Sequence, residues 1–498
     1  MQKPTIEFQF LSNQALKEST TCYALGIFEN DTKLPVDNLL NASFCHNVMM
    51  PLIKEAQFTG KKCETLTANC LQQVGKLILV GLGKEEEVDQ ECIRQTANMV
   101  YRACVQLHSQ SVVVNFGKLL DNPVQLKAFT EGVLLAAHVD ERFKSQKDTT
   151  TTPLQKVYLL TATKHEEAIQ LGQKITTGIN LARELVNAPA NYVNPNRLAQ
   201  TAVELAAKHH LELNILEKED CERLKMGAFL SVAQGSDALP KFIHLCYKPK
   251  SLHTQSPFKK IALIGKGVTF DAGGLNLKIG NAQIELMKCD MAGAAALFGV
   301  AEAIGAIKPN KEIHFIVAAT ENMINGSATK PGDIVTASNG KTIEIDNTDA
   351  EGRLTLADAL VYAEQLGVDV IVDLATLTGA IVTALGTRMA GLFGNNQQLI
   401  NSLMAASSQS GEQIWPMPLE ESYLEDMRSI LADIRNTGSK EGGGSITAAL
   451  FLKQFVKQTP WAHIDIAGTV WTKKPWSYHN AGATGFGVRL LIEWILHS

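Results

Sequence analysis

The sequence predicts an α/β protein of two domains, a smaller N-terminal α/β domain and a larger C-terminal domain whose mostly parallel central sheet is flanked by helices. Three observations lead there. Short apolar, strand-like runs alternate with stretches of helical spacing along the chain, which is the pattern of layered α/β folds. The chain has 498 residues, more than one hydrophobic core usually organises. A long helical pattern is stopped at Pro189, with Pro195 beyond it, as befits a connection between domains.

Taken in order, "TIEFQF", "KLILVGLG" and "SVVVNFG" read as strands, and "ECIRQTANMVYRACVQL" reads as a helix between them. The threonine-rich "KSQKDTTTTP" reads as a surface loop, and "KVYLLTAT" as one more strand of the same sheet. The domains are therefore 1–166 and 167–498, with residues 167–190 as the connecting helix. Beyond it, the apolar strands "KIALIGKG", "EIHFIVAAT", "DVIVDLATLT" and "HIDIAGT" are interleaved with the helices "MAGAAALFGVAEAIGAI" and "ITAALFLKQFVKQ". Near-continuous apolar strands of this kind belong to a parallel sheet covered on both faces, where ligands bind beyond the carboxyl ends of the strands.

Composition excludes little. With 45% hydrophobic and 19% charged residues and a net charge of −5, the chain offers no field for nucleic acid or an anionic membrane. The first 165 residues carry 17 Lys/Arg against 17 Asp/Glu, so no basic arm is present there. Nine cysteines without a C-x-x-C pair point to a reducing compartment. The start "MQKPTIEFQFLSNQ" has no basic then apolar leader, and no run is read as reaching the ~20 apolar residues of a membrane span, so a cytoplasmic protein is expected.

The chemistry concentrates in "NTDAEGRL", residues 347–354, where Asp349, Glu351 and Arg353 alternate just ahead of an apolar helical pattern. Thr348 and Glu351 fit a capping box, and that is the simplest reading of the stretch alone. In an extended segment, however, the three charged side chains would share one side, and paired carboxylates repel unless a cation joins them. Hard oxygen ligands suit Mg²⁺, Mn²⁺ or catalytic Zn²⁺, while Arg353 at a helix N-terminus suits an anion.

Upstream, "GKGVTFDAGGLNLKIGNAQIELMKCDMAG" (265–293) supplies Lys266 at a strand's end, Asp271, Lys278 and Asp290. Individually Asp290 reads as a helix cap, Lys278 as a surface lysine, and Gly273 with Gly274 as a turn. No P-loop, G-x-S-x-G elbow or H-E-x-x-H pair occurs; His314 is expected to be a satisfied core residue and Cys289 to pack inside.

Read together, these segments resemble the leucyl aminopeptidase family, the cytosol aminopeptidases of the M17 class. The resemblance is carried by "NTDAEGRL", "GKGVTFDAGG", "MKCDMAGAAA", "ATLTGA" (375–380) and "GATG" (482–485), and it extends over the second domain from "NAPANYVNP" onwards. It implies a metal-dependent exopeptidase that releases N-terminal amino acids from peptides with a free N-terminus. It implies that Lys266, Asp271, Asp290, Asp349 and Glu351 hold two divalent ions (Mn²⁺ or Zn²⁺, Mg²⁺ as a further candidate), with Asp271 and Glu351 touching both. Lys278 and Arg353 would be the catalytic pair, Arg353 holding bicarbonate as a proton shuttle. Asn347, Thr376 and Gly379 would line the peptide backbone and Met287 the side-chain pocket, in a homohexamer. One departure stands out: the family usually has a proline directly after the lysine and one residue fewer before the aspartate, where this chain has Ile279 and "KIGNAQIELMKCD". Two rival classes are a phosphoesterase, since two-metal carboxylate sites also serve phosphoryl transfer, and a nucleic-acid-binding front domain, which the balanced charge disfavours.

Overall fold

A computed structural model describes residues 6–11, 21–31, 42–70, 75–146, 152–252, 257–280, 283–438 and 441–498. The chain divides into two compact units: Met1–Thr176 with Pro475–Asn480, and Thr177–Lys474 with Ala481–Ser498. Residues 147–151 of the threonine-rich loop expected at 144–153, and residues 1–5 and 12–20, lie outside the described residues.

The first unit is built on six strands: β1 Glu7–Phe10, β2 Thr21–Phe28, β3 Thr65–Cys70, β4 Gly75–Gly83, β5 Ser111–Asn115 and β6 Lys156–Leu159. They lie in the order β1-β6-β5-β2-β4-β3, all parallel except the β3–β4 pair. The helices Gln90–Gln106 and Pro123–Ala136 begin on the side-chain caps Asp89 and Asn122, and pack Ile93, Val100, Phe129 and Val133 into the core against the strands.

The second unit contains β7 Glu212–Leu216, β8 Lys241–Tyr247, β9 Lys260–Asp271, β10 Glu312–Asn322, β11 Ile334–Thr336, β12 Thr342–Glu344, β13 Val370–Ala375, β14 Ala390–Gly394, β15 Ile414–Pro416, β16 Ile434–Arg435 and β17 Trp461–Asp465. Eight of these form one sheet in the order β15-β14-β17-β13-β9-β10-β8-β7, and its central run β17-β13-β9-β10 is parallel. The strands β11, β12 and β16 form a small separate sheet.

Central strands β9 and β13 are buried almost throughout, which is why they read as unbroken apolar runs rather than alternating ones. Helix Ala292–Ile307 lies against β9 and is apolar but for Glu302, which pairs with Lys208 and His209. By length and composition the stretch Ile284–Ile307 is the one described helix that could cross a membrane, against the sequence expectation that none would. Its apolar window is 89% buried inside the protein, which accounts for its composition as a central core helix. The eight cysteines whose side chains are described are free thiols.

Candidate active site

The strand β9 delivers two of the notable residues, but not as its sequence suggests. Lys266 is mid-strand, opposite Ala318 of β10, and the strand runs on to Asp271. A lysine can occupy that buried position only if its charge is met. Its Nζ lies 2.8 Å from Asp290 Oδ1, 2.8 Å from Glu351 Oε1, and donates to the Thr376 carbonyl at 2.8 Å. Gly352 permits this approach, since a Cβ there would stand 2.6 Å from Lys266 Cε.

Asp271 ends β9. Its Oδ1 accepts from the Gly273 amide at 2.9 Å and from Asn322 Nδ2 at 2.8 Å, and its Oδ2 lies 2.9 Å from Lys278 Nζ. The same ammonium pairs with Asp349, so Lys278 bridges the two loops instead of standing in solvent. Asp290 follows the 3₁₀ turn Ile284–Cys289 and does not cap the next helix, whose N-cap is Met291; its Oδ1 takes a hydrogen bond from Thr376 Oγ1 at 2.7 Å.

"NTDAEGRL" is neither an extended segment nor a capping box. Thr348 and Asp349 form a turn, and Glu351 is the N-cap of helix Gly352–Gln365 without a side-chain cap bond. The box fails because both of its side chains are used elsewhere. Thr348 Oγ1 donates to the Gly273 carbonyl at 2.7 Å, and Glu351 faces Lys266.

Three asparagines that sequence reasoning missed lace these loops together. Asn276 Oδ1 accepts from the Thr348 amide at 2.9 Å, and Asn322 Nδ2 reaches both Asp271 and the Thr348 carbonyl. Asn436, just past β16, accepts from the amides of Asp346 and Asn347 and donates to the Asn347 carbonyl at 2.7 Å. Their only linear signal is a position at or just past a strand or turn; the partners lie 26 to 90 residues away.

Arg353 is buried on the first turn of its helix. Its Nη1 donates to the Asn436 carbonyl at 2.8 Å, and its Nε has no hydrogen-bond partner. Asn347 Oδ1 accepts from the Asp349 amide at 2.9 Å. Gly379 opens helix Gly379–Leu385 with free space at its Cβ position, and Met287 lies half-buried on the 3₁₀ turn, its carbonyl accepting from the Asp290 amide. Residues 281–282, within the segment where the chain departs from its family's pattern, lie outside the described residues.

Four carboxylates thus converge on two ammonium groups. The ligand atoms of Asp271, Asp290 and Glu351 all lie within 4.8 Å of one another. The imbalance shows in the ionisation of the acids. Burial, with Glu351 adding to it, pushes Asp271 up to about 6; burial raises Asp290 well above the carboxylate range and raises Asp349. Glu351 alone goes down, because Lys266 and Lys278 outweigh its burial. Burial works against both ammonium groups, yet the surrounding carboxylates win and raise Lys266 and Lys278 above the ordinary lysine value. Burial pushes Arg353 down to about 10.

Asp290 Oδ2, Asp349 Oδ1 and Glu351 Oε1 are buried and make no aligned hydrogen bond, although each has a lysine nitrogen within ion-pair distance. Charge proximity without hydrogen-bond alignment, together with an excess of anionic oxygen, is the donor set a hard or borderline divalent cation accepts. The residues therefore fit the metal dependence of the family they resemble.

Comparison with known proteins agrees. The sequence model of the "Cytosol aminopeptidase family, catalytic domain" matches residues 180–492, and that of the family's N-terminal domain matches residues 24–147. A probable cytosol aminopeptidase of Nostoc punctiforme is 53% identical over 476 residues, covering 95% of this chain and 96% of its own. One from Gloeothece citriformis is 52% identical over 477 residues, with the same coverage of both chains. Among solved structures, a tomato leucine aminopeptidase mutant superposes with a TM-score of 0.88 at 40% identity, over 99% of this chain and 97% of that one. With its buried carboxylates set beyond the central strands of the larger sheet, the chain belongs to the cytosol aminopeptidase family and is a hydrolase of the aminopeptidase class.

Proposed function

We propose that this aminopeptidase removes leucine and other apolar residues from peptide N-termini at a centre made for two divalent ions, assisted by bicarbonate. The observation that carries the reading is the surplus of buried carboxylate over ammonium around Lys266 and Lys278. Lys266, Asp271, Asp290, Asp349 and Glu351 would hold the ions, Mn²⁺ or Zn²⁺ with Mg²⁺ as a further candidate, and Asp271 and Glu351 would contact both. When bound, such a pair supplies an activated water at neutral pH and Lewis-acid stabilisation of developing charge.

Lys266 can ligate only as a neutral amine, so it must give up the proton that its carboxylate neighbours hold in place. Asp271, raised to about 6, must likewise be ionised. Both requirements have the same sign: protons compete with the cation. Metal uptake is therefore expected to strengthen as pH rises from about 5 to about 8 and to release protons, because ligands bind deprotonated. Titration calorimetry in buffers of different ionisation enthalpy counts those protons; zero release would remove Lys266 from the ligand set.

Lys278 keeps its proton, since Asp271 and Asp349 favour the ammonium. It is assigned to the scissile carbonyl oxygen, to which it donates as negative charge builds. Lys278→Ala is expected to lower kcat by about 10²–10³-fold, the usual cost of one such donor, with little change in KM. A rise in KM at unchanged kcat would assign Lys278 to ground-state binding instead.

Arg353, with a buried and unpaired Nε at a helix N-terminus, would hold the bicarbonate. That anion supplies, when bound, a base for the water proton and an acid for the leaving amine. Asn347, Thr376 and Gly379 would line the substrate backbone and Met287 its side-chain pocket. The same reading makes the enzyme a cytoplasmic homohexamer whose smaller domain ends near residue 166, at the connecting helix. Metal analysis with a panel of amino-acid anilides tests the whole: turnover of leucine anilide over acidic and basic ones supports it, and hydrolysis of an aryl phosphate instead would replace it with a phosphoesterase.

A further inference from the structure

A second cluster of ligand-type side chains stands at the opposite end of the same sheet. Cys246 of β8 is the cross-strand partner of His314 of β10, and Glu312, two residues before His314, shares its face of the sheet. Sulfur, imidazole and carboxylate ligand atoms here all lie within 4.8 Å of one another. Cys246 and His314 are buried, and the Glu312 side chain is 14% exposed. In the parallel β9–β10 pair, Glu312 is opposite Lys260 and Ala318 is opposite Lys266. Six strand residues at about 3.3 Å each therefore separate this cluster from the Lys266 level of the active site by about 20 Å.

The hydrogen bonding around His314 prepares it as a ligand. Its Nδ1 lies 2.9 Å from His244 Nε2, and His244 Nδ1 lies 3.1 Å from the Tyr362 hydroxyl. That chain engages Nδ1 and leaves Nε2 3.0 Å from Glu312 Oε1. Metal-ligating histidines have their second nitrogen engaged by an outer-shell partner, the part His244 plays here. The Cys246 thiol makes no hydrogen bond among the described residues. The satisfied-network reading, in which Glu312 is balanced by His314 and by Lys260 at 4.0 Å, gives this sulfur no part.

We propose that Cys246, Glu312 and His314 form an additional binding site for a thiophilic divalent cation of the zinc class, with the fourth position open to water. The sulfur selects against Mg²⁺ and Mn²⁺, which prefer all-oxygen sets. Binding converts the thiol to thiolate and releases its proton to solvent; the bound ion ties β8 to β10 at the edge remote from the chemistry.

The test is titration of the metal-stripped full-length protein with Co²⁺ alone, followed by near-ultraviolet absorption. The active-site set proposed above contains only oxygen and nitrogen donors, so a thiolate-to-cobalt charge-transfer band reports this site. The band is expected to saturate by three equivalents in all, one for this site and two for the active-site pair, to be bleached by Zn²⁺, to persist in Glu351→Ala and to vanish in Cys246→Ser. His314→Ala should weaken cobalt binding at least about 10-fold by the same band. Absence of the band in the parent protein, or its survival in Cys246→Ser, overturns the proposal, and the parent measurement needs no variant to fold.

Discussion

Glu351→Ala is expected to lose metal and activity in one step. Its carboxylate is buried, with Oε1 2.8 Å from Lys266 Nζ, and it is one of the three groups whose ligand atoms converge within 4.8 Å. Outer-shell partners alone are worth about 10–100-fold in metal affinity, so loss of a direct ligand shared between both ions should exceed about 100-fold. A second loss follows from the same geometry. Lys266 would keep Asp290 as its only ionic partner, so the stability cost should stay below the ~3–5 kcal/mol of a buried charge left wholly unmet. The measurement is metal content after dialysis together with kcat/KM and a thermal melt. Glu351→Gln, which retains the volume, should separate packing from charge: it should melt closer to the parent while remaining poor in metal. An Ala variant that is replete and active would exclude the assigned role.

Arg353→Ala should behave in the opposite way, retaining its metal while becoming slow. None of the carboxylates hydrogen-bonds to Arg353, whose Nη1 is spent on the Asn436 carbonyl. If the guanidinium holds the proton shuttle, its removal forfeits the general acid–base contribution, about 10²–10⁴-fold in kcat. Added bicarbonate should accelerate the parent and leave the variant unmoved. Arg353→Lys keeps the charge without the planar fork and should recover only part of the rate. Equal bicarbonate response in parent and Ala variant would remove the shuttle, and loss of metal from the variant would recast Arg353 as structural support.

Much of the larger sheet was legible because its strands are buried on both faces, so "KIALIGKG", "EIHFIVAAT" and "DVIVDLATLT" announce themselves by composition. Local rules failed where tertiary contacts outbid them. The capping box in "NTDAEGRL" is locally sound, yet Thr348 serves the Gly273 loop and Glu351 serves a lysine 85 positions earlier. Lys266 reads as a strand end because a buried mid-strand lysine is costly, and nothing nearby in sequence reveals that Asp290 and Glu351 meet its charge. Asn276, Asn322 and Asn436 were invisible for the same reason. Each is an ordinary turn residue until the loops it joins are brought together.

The two lysines among the carboxylates have a consequence for the life history of the enzyme. Because Lys266 and Lys278 act as internal counter-ions, the chain carries its own means of holding this acidic pocket shut, without waiting for a supply of minerals. Maturation can then follow folding rather than drive it. A chelator should switch the enzyme off and leave a rechargeable protein behind, unlike small metal-dependent folds that fall apart when stripped.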